Sequence, residues 1–211
     1  MCALVSGGLD SAVLLHRLSI AGTRILPVYV RCGFIWERTE LAWLRRLVRH
    51  RPGHWPLRVI DVPMRALYGE HWSFTGRRIP GARSDDAAVY LPGRNALLLS
   101  AAAVAADERN IGTLALGTLK GNPFGDATPA FFRRMGQALS LALRRRIRII
   151  APLSKTAKAR LISGAGTAPL QLTFSCLRPR GLRHCGRCNK CAERQRAFRL
   201  AGIKDPTSYV S

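Results

Sequence analysis

The sequence predicts an α/β fold, a parallel sheet of about five strands with helices on both faces and a short helical tail behind it. Three observations carry this. Short apolar runs rich in β-branched residues recur at 3–5, 25–30, 57–62, 114–116 and 147–150, and they are continuous, as in strands buried on both faces. Helical patterns fill the gaps at 11–20, 38–50, 95–107, 129–143 and 155–162, and such alternation of strand and helix builds a parallel sheet. A glycine-rich turn follows the first run, where a sheet of this kind collects its ligands.

The first strand runs to Val5 and meets Ser6-Gly7-Gly8-Leu9-Asp10-Ser11. Two glycines there would let backbone N–H groups close on an anion, and a helix opening at Ser11 would point its positive end at the same spot. Two hydroxyls add donors, and Asp10 is placed to hold a magnesium ion against phosphates. The same residue types also make an ordinary strand-to-helix turn. After the second and third strands, residues 63–92 carry Tyr68, His71, Trp72 and Phe74 among glycines. That stretch is too long for a routine connection and reads as a substrate-side loop or lid.

From residue 175 the rhythm changes. Cys176-x8-Cys185-x2-Cys188-x2-Cys191 supplies four thiolates, enough to close a tetrahedral structural zinc site. An iron–sulfur cluster or unligated core thiols are the other readings. Arg178, Arg180, Arg183, Arg187 and Arg194 lie close enough in sequence to offset thiolate charge, and His184 is expected near the site or at the surface, outside a full ligand set. Cys2 is expected to pack in the first strand, while Cys32 follows the second strand in the presumed nucleotide region, where a reactive role is open.

At 211 residues the chain suits one domain with a small appendage, divided here into 1–174 and 175–211 as one structural unit. No apolar run nears the roughly 20 residues that span a bilayer, and no signal-like segment opens the chain, so no membrane role and a cytoplasmic location are expected. Lys and Arg total 34 against 12 Asp and Glu, a formal charge of +22. Such a surface suits polyanions, yet no long block of like charge appears, and a solvated basic face explains it as well as a nucleic-acid partner.

Several segments together resemble one family. Ser6-Gly7-Gly8-Leu9-Asp10-Ser11 is similar to the PP-loop of ATP pyrophosphatases, which cleave ATP between its α- and β-phosphates. Leu91-Pro92-Gly93-Arg94-Asn95, Asp126 with Pro129 and a Phe-Phe pair, Pro152-Leu153 leading to Lys155 and Lys158, and Phe174-Ser175-Cys176 with the cysteine tail resemble the 7-cyano-7-deazaguanine synthase family, in the same order along nearly the whole chain. The resemblance implies an adenine nucleotide alpha hydrolase-like fold and a ligase that turns 7-carboxy-7-deazaguanine, ammonia and ATP into a nitrile, with Mg²⁺ and Zn²⁺ bound and a homodimer compatible with it. It implies nucleotide contacts from Val5, Ser6, Gly7, Gly8, Leu9, Asp10, Ser11, Ala12, Val13, Leu14 and Leu15, and zinc at Cys176, Cys185, Cys188 and Cys191. Catalytic roles would fall to Asp10, Ser11, Arg94, Asn95, Asp126 and Lys158. Arg94 and Asn95 would reach phosphate or carboxylate, Lys158 would neutralise phosphate charge, Asp126 would read the base's N–H edge or move a proton, and Phe124 would stack on the base; an N-cap at Asn95, a solvated helix residue at Lys158 and a turn-capping Asp126 are the alternatives.

One segment departs from the family pattern. Arg31-Cys32-Gly33-Phe34-Ile35-Trp36-Glu37-Arg38 stands where a Tyr-Gly-Gln-Arg-His-like stretch is usual, with the glycine and Glu40-Leu41 retained. This leaves room for a related enzyme adenylating another carboxylate, a tRNA or a protein. A non-catalytic, zinc-containing nucleic-acid-binding module is the reading from a different class.

Overall fold

Apolar runs this short can be satisfied only inside a sheet that is covered on both sides, and that is where they lie. The computed structural model describes residues 1–50 and 53–210. Residues 51, 52 and 211, which fall within the two expected units, lie outside the described residues. The strands are β1 (Cys2–Leu4), β2 (Leu26–Arg31), β3 (Arg58–Asp61), β4 (Thr113–Leu116) and β5 (Arg148–Ile150). They form one sheet in the order β3-β2-β1-β4-β5, and every neighbouring pair is parallel. The helices are α1 (Leu9–Ile20), α2 (Glu37–Arg49), α3 (Arg65–Tyr68), α4 (Trp72–Thr75), α5 (Arg94–Asp107), α6 (Pro129–Ala142), α7 (Lys158–Ser163) and α8 (Asn189–Ala201).

The pleat sends alternate side chains into two cores. Ala3, Val5 and Tyr29 meet Ala12 and Leu15 of α1 and Leu41, Leu44 and Leu47 of α2 on one face. Cys2, Val28 and Val30 meet Leu99, Ala102, Ala103 and Ala106 of α5 and Phe132 and Leu139 of α6 on the other. The run of alanines lets α5 lie close against the strands. Helix ends follow from sequence: Thr128 Oγ1 accepts the Phe131 N–H at 3.2 Å with Pro129 in the first turn of α6, and α2 opens with Glu37 and Glu40 and closes with Arg46 and Arg49, matching its dipole.

Two helix starts differ from the sequence reading by two residues or more. Helix α1 begins at Leu9 with Gly8 as its extended N-cap, two residues before Ser11. The Ser11 hydroxyl accepts the Ser6 N–H at 2.9 Å, which draws Ser11 into the first turn instead of leaving it at the cap. Helix α7 starts at Lys158 rather than near 155, because a turn in which the Thr156 N–H donates to Leu153 O at 2.9 Å precedes it.

Residues 63–92 form a packed wall with its own short helices, α3, α4 and a 3₁₀ turn at Asp86–Val89. The tail holds that wall. Asn189 donates its N–H to Pro80 O at 2.9 Å and its side-chain amide to Ser84 O at 2.9 Å. On its other side the tail meets α2, where Thr39 Oγ1 donates to Gly181 O and Trp43 Nε1 to Leu182 O, each at 2.9 Å. Among the described residues no helix is long and apolar enough to cross a membrane.

Candidate active site

The chain reverses its direction of sheet growth at β1, with β2 on one side and β4 on the other, and this opens a crevice at the strands' carboxyl ends. A cavity of about 460 Å³ occupies it. Ser6, Gly8, Leu9, Asp10 and Ser11 line one end. The loop closes on itself: beyond the Ser6-to-Ser11 bond, the Gly8 N–H donates to Ser6 Oγ at 3.2 Å and the two hydroxyls lie 3.2 Å apart. Gly7 is needed for space. A Cβ there would sit 3.0 Å from the backbone oxygen of Glu40 and 3.3 Å from its Cγ. Gly7 itself lies behind the lining, where its carbonyl accepts the Phe174 N–H at 2.6 Å. Ala12, Val13, Leu14 and Leu15, expected along the nucleotide, are at most 4% exposed and pack in the core, since the helix carries them away from its open end.

Four charged groups form the floor beside this loop. Lys158 Nζ donates to Glu193 Oε1 at 2.5 Å and lies 3.7 Å from Asp10 Oδ2. Lys190 Nζ donates to Glu193 Oε2 at 2.7 Å. Burial opposes the charge on Lys158, but the Asp10 and Glu193 carboxylates overcome it and raise its pKa. Burial likewise penalises Glu193, yet Lys158 and Lys190 hold it at about 2. At Asp10 burial wins and the pKa rises despite Lys158. Asp10 Oδ1 is buried with no hydrogen-bond partner among the described residues, an uncompensated acceptor of the kind a bound cation satisfies.

Arg94 and Asn95 begin α5 at the cavity's edge, after Gly93, whose φ of +69° favours glycine. Asp126 does not line the cavity. Its Oδ2 accepts the Asn95 N–H at 2.9 Å, while the Asn95 amide donates to Asp126 O at 3.1 Å and Oδ1 at 3.3 Å. A turn from residue 126 thus caps the open N-terminus of α5. The expected contact of Asp126 with a base edge gives way to a bracing role that fixes Arg94 and Asn95.

Two other carboxylates, unremarked as site residues in the sequence, stand on the cavity wall. Glu37 accepts the Cys32 N–H at 2.5 Å and the Gly33 N–H at 2.9 Å, fixing the atypical 31–38 loop. Glu40 accepts the Tyr29 hydroxyl at 2.7 Å, and burial raises its pKa to about 7 despite that bond. Cys32 is 1% exposed and its thiol is pushed up to about 12 by burial and by Glu37, which removes the reactive reading. Cys2 is fully buried in β1, as expected.

Another part of the lining is aromatic. Phe34 stacks on Trp36 with ring centroids 4.8 Å apart, and Trp36 on Trp72 at 5.6 Å. Across the opening Phe124 stacks on Tyr90 at 4.6 Å. Phe34, Trp36 and Phe124 all line the cavity, so a flat ring entering it meets π-faces.

Cys176, Cys185, Cys188 and Cys191 are buried, with their sulfurs within 4.8 Å of one another and Cys185 and Cys191 4.0 Å apart. Zinc bound by thiolates at roughly 2.3 Å needs sulfur separations of about 3.8 Å in a tetrahedron, so the donor set fits the metal. Backbone N–H groups of Leu177, Arg178 and Cys185 point at the sulfurs at 3.4, 3.3 and 3.2 Å, as they do around thiolates. Arg194 is 1% exposed and spends its donors elsewhere: on Thr207 Oγ1 at 2.6 Å and Thr173 Oγ1 at 2.8 Å, with Asp205 at 3.5 Å. His184 is buried and neutral, its pKa lowered to about 4 by burial and then by Arg194, and Nε2 accepts the Ser175 N–H at 3.0 Å. It supports the site from within and is not a surface residue.

Solved structures share the fold. A 4-thiouridine synthetase–RNA complex with bound ATP aligns with a TM-score of 0.51 and 18% identity over 95% of this chain and 50% of that one. A predicted subunit of tRNA methyltransferase from Methanocaldococcus jannaschii aligns with a TM-score of 0.50 and 17% identity over 78% and 72%. Closer likeness comes from sequence. A 7-cyano-7-deazaguanine synthase 1 of Mesorhizobium japonicum is 42% identical, covering 99% of this chain and 94% of that protein. The 7-cyano-7-deazaguanine synthases of Rhizobium etli and Anaeromyxobacter dehalogenans are 33% and 32% identical, covering 97% and 98% of this chain and 89% and 94% of theirs. The family described as "Queuosine biosynthesis protein QueC" matches residues 1–202, from β1 through α8. The chain belongs to that family.

Proposed function

We infer that the protein is an ATP-dependent ligase that converts 7-carboxy-7-deazaguanine and ammonia into 7-cyano-7-deazaguanine. The observation that carries this reading is one cavity lined both by a phosphate-type loop with a lysine beside it and by stacked aromatic rings. Family membership and the names of the relatives point the same way.

A carboxylate resists attack by ammonia until one oxygen becomes a leaving group. Its oxygen attacks the α-phosphorus of ATP, the bond to the β-phosphate oxygen breaks, and pyrophosphate departs from an acyl adenylate. Ammonia adds to the carbonyl, loses a proton and expels AMP, leaving the amide. The amide oxygen then attacks the α-phosphorus of a second ATP, pyrophosphate departs and one N–H proton is lost to give an O-adenylated imidate, from which loss of AMP with the remaining N–H proton yields the nitrile.

The protein's share is positioning and charge. The Ser6–Ser11 loop and the positive end of α1 receive the phosphates, Lys158 meets charge on the leaving pyrophosphate, and Arg94 is placed for a phosphate or the substrate carboxylate. Phe34, Trp36 and Phe124 hold the deazapurine ring. Asn95 and Asp126 keep Arg94 in place. Asp10 would hold magnesium, which supplies charge neutralisation on the phosphates, and the four cysteines would hold a structural zinc. Purified protein given 7-carboxy-7-deazaguanine, ammonia and MgATP is expected to release pyrophosphate and form a product of the nitrile's mass. Release that depends on tRNA, or no release at all, would overturn this reading.

A further inference from the structure

The thiolate cluster and the phosphate end of the cavity share a helix. Helix α8 begins immediately after Cys188 and contains Cys191 in its first turn. Lys190 and Glu193, three apart on that helix and therefore on one face, both line the cavity. Glu193 divides its carboxylate between two lysines, Oε1 to Lys158 at 2.5 Å and Oε2 to Lys190 at 2.7 Å, and Lys158 then lies 3.7 Å from Asp10. Two cations and two carboxylates therefore balance on a floor that faces a phosphate-binding loop. A carboxylate beside a polyphosphate weakens ground-state attraction, so its presence there calls for another use.

We propose that Glu193 is a positioning residue for ATP cleavage: anchored by the thiolate-bearing helix, it holds Lys158 beside Asp10 and screens both lysines from binding the polyphosphate unproductively. The metal cluster then contributes to catalysis through geometry, by fixing the helix that carries Glu193. Without Glu193 the floor gains one net positive charge. ATP binds more tightly, while Lys158, no longer tethered beside Asp10, settles on the wrong phosphate oxygen. Affinity and turnover move in opposite directions, whereas a merely structural residue would lower both.

This inference rests on the ATP-cleaving reading of the site, but it is tested by ATP binding as well as by turnover. The zinc-loaded full chain and its Glu193→Gln variant are compared for MgATP dissociation constant, kcat for pyrophosphate release, zinc content and melting temperature. With zinc content and melting temperature unchanged, the expected result is a dissociation constant about tenfold lower, or ~1.4 kcal/mol, together with a kcat at least tenfold lower. Unchanged or weaker MgATP binding in a variant that retains zinc overturns the proposal. If the Gln variant loses zinc, Glu193→Asp decides: its carboxylate is kept but withdrawn, so kcat should fall with no gain in ATP affinity, and full turnover overturns the proposal. A wild-type protein that binds MgATP but releases no pyrophosphate with the deazapurine acid defeats the substrate reading alone, and the affinity comparison still decides the role of Glu193.

Discussion

The two ends of the cavity are built by different means. The phosphate loop is made within one strand–helix junction: Ser6, Gly8 and Ser11 bond to one another across at most five residues. The aromatic end gathers Trp36, Trp72, Tyr90 and Phe124 from segments far apart in the chain. The local end suits chemistry that stays the same whatever is adenylated. The assembled end can vary with the substrate, and it includes the 31–38 segment that departs from the family pattern.

The largest expected effect breaks the local end. Asp10→Asn should lower pyrophosphate release by about three orders of magnitude, with melting temperature and deazapurine binding close to wild type. A near-normal rate would remove Asp10 from the machinery. Next comes the tail that holds both ends. Cys188→Ser should lose zinc and several kcal/mol of stability together, read by metal analysis and thermal melting, because closed sites couple metal binding to folding. Full zinc occupancy would take Cys188 out of the ligand set. A smaller change sharpens the contrast: Phe124→Ala should raise KM for the deazapurine acid about tenfold, as loss of one stacking partner does, and leave KM for ATP unmoved. Equal shifts in both constants would mean that the two ends do not divide the substrates.

The last contrast is one of pH alone, set by Glu40. Its folded pKa of about 7 exceeds the ordinary 4.5, so the folded state holds the proton more tightly. That contribution is complete below about pH 4.5, declines as pH rises and is gone above about 7. Glu40→Gln imitates the protonated form. Relative to wild type it should therefore be more favourable at pH 8 than at pH 5, by about 2–3 kcal/mol or roughly 5–10 °C in melting temperature. A pH-independent difference would show that Glu40 is ionised throughout.

The same division governs what could be read from the sequence. Strands and helices were legible because both faces of the sheet are buried and the apolar runs therefore stand out unbroken. The four cysteines stood out by their spacing, whereas Ser6–Ser11 read equally as an ordinary turn until the matching segments farther along the chain were set beside it. Asp126 left contact with the base and turn capping both open, because its partner, the N–H of Asn95, comes near it only in the fold. Glu193 and Lys190 were passed over because, in sequence, they are charged residues on an exposed-looking helix in an arginine-rich tail. Only the packing of α8 against α7 brings them to Lys158. Glu40 carried one usable signal, its retention within an otherwise altered segment, though its partner Tyr29 lies on the preceding strand.

Helix α8 also sets an order of events in the life of the chain. The phosphate loop is synthesised well before Lys190 and Glu193, which line the same cavity. A growing chain can pair β1 with β2 early, but the charged floor stays incomplete until the residues after Cys188 have emerged and docked. A chain whose α8 has not docked therefore presents the phosphate loop without Lys190 and Glu193 beside it.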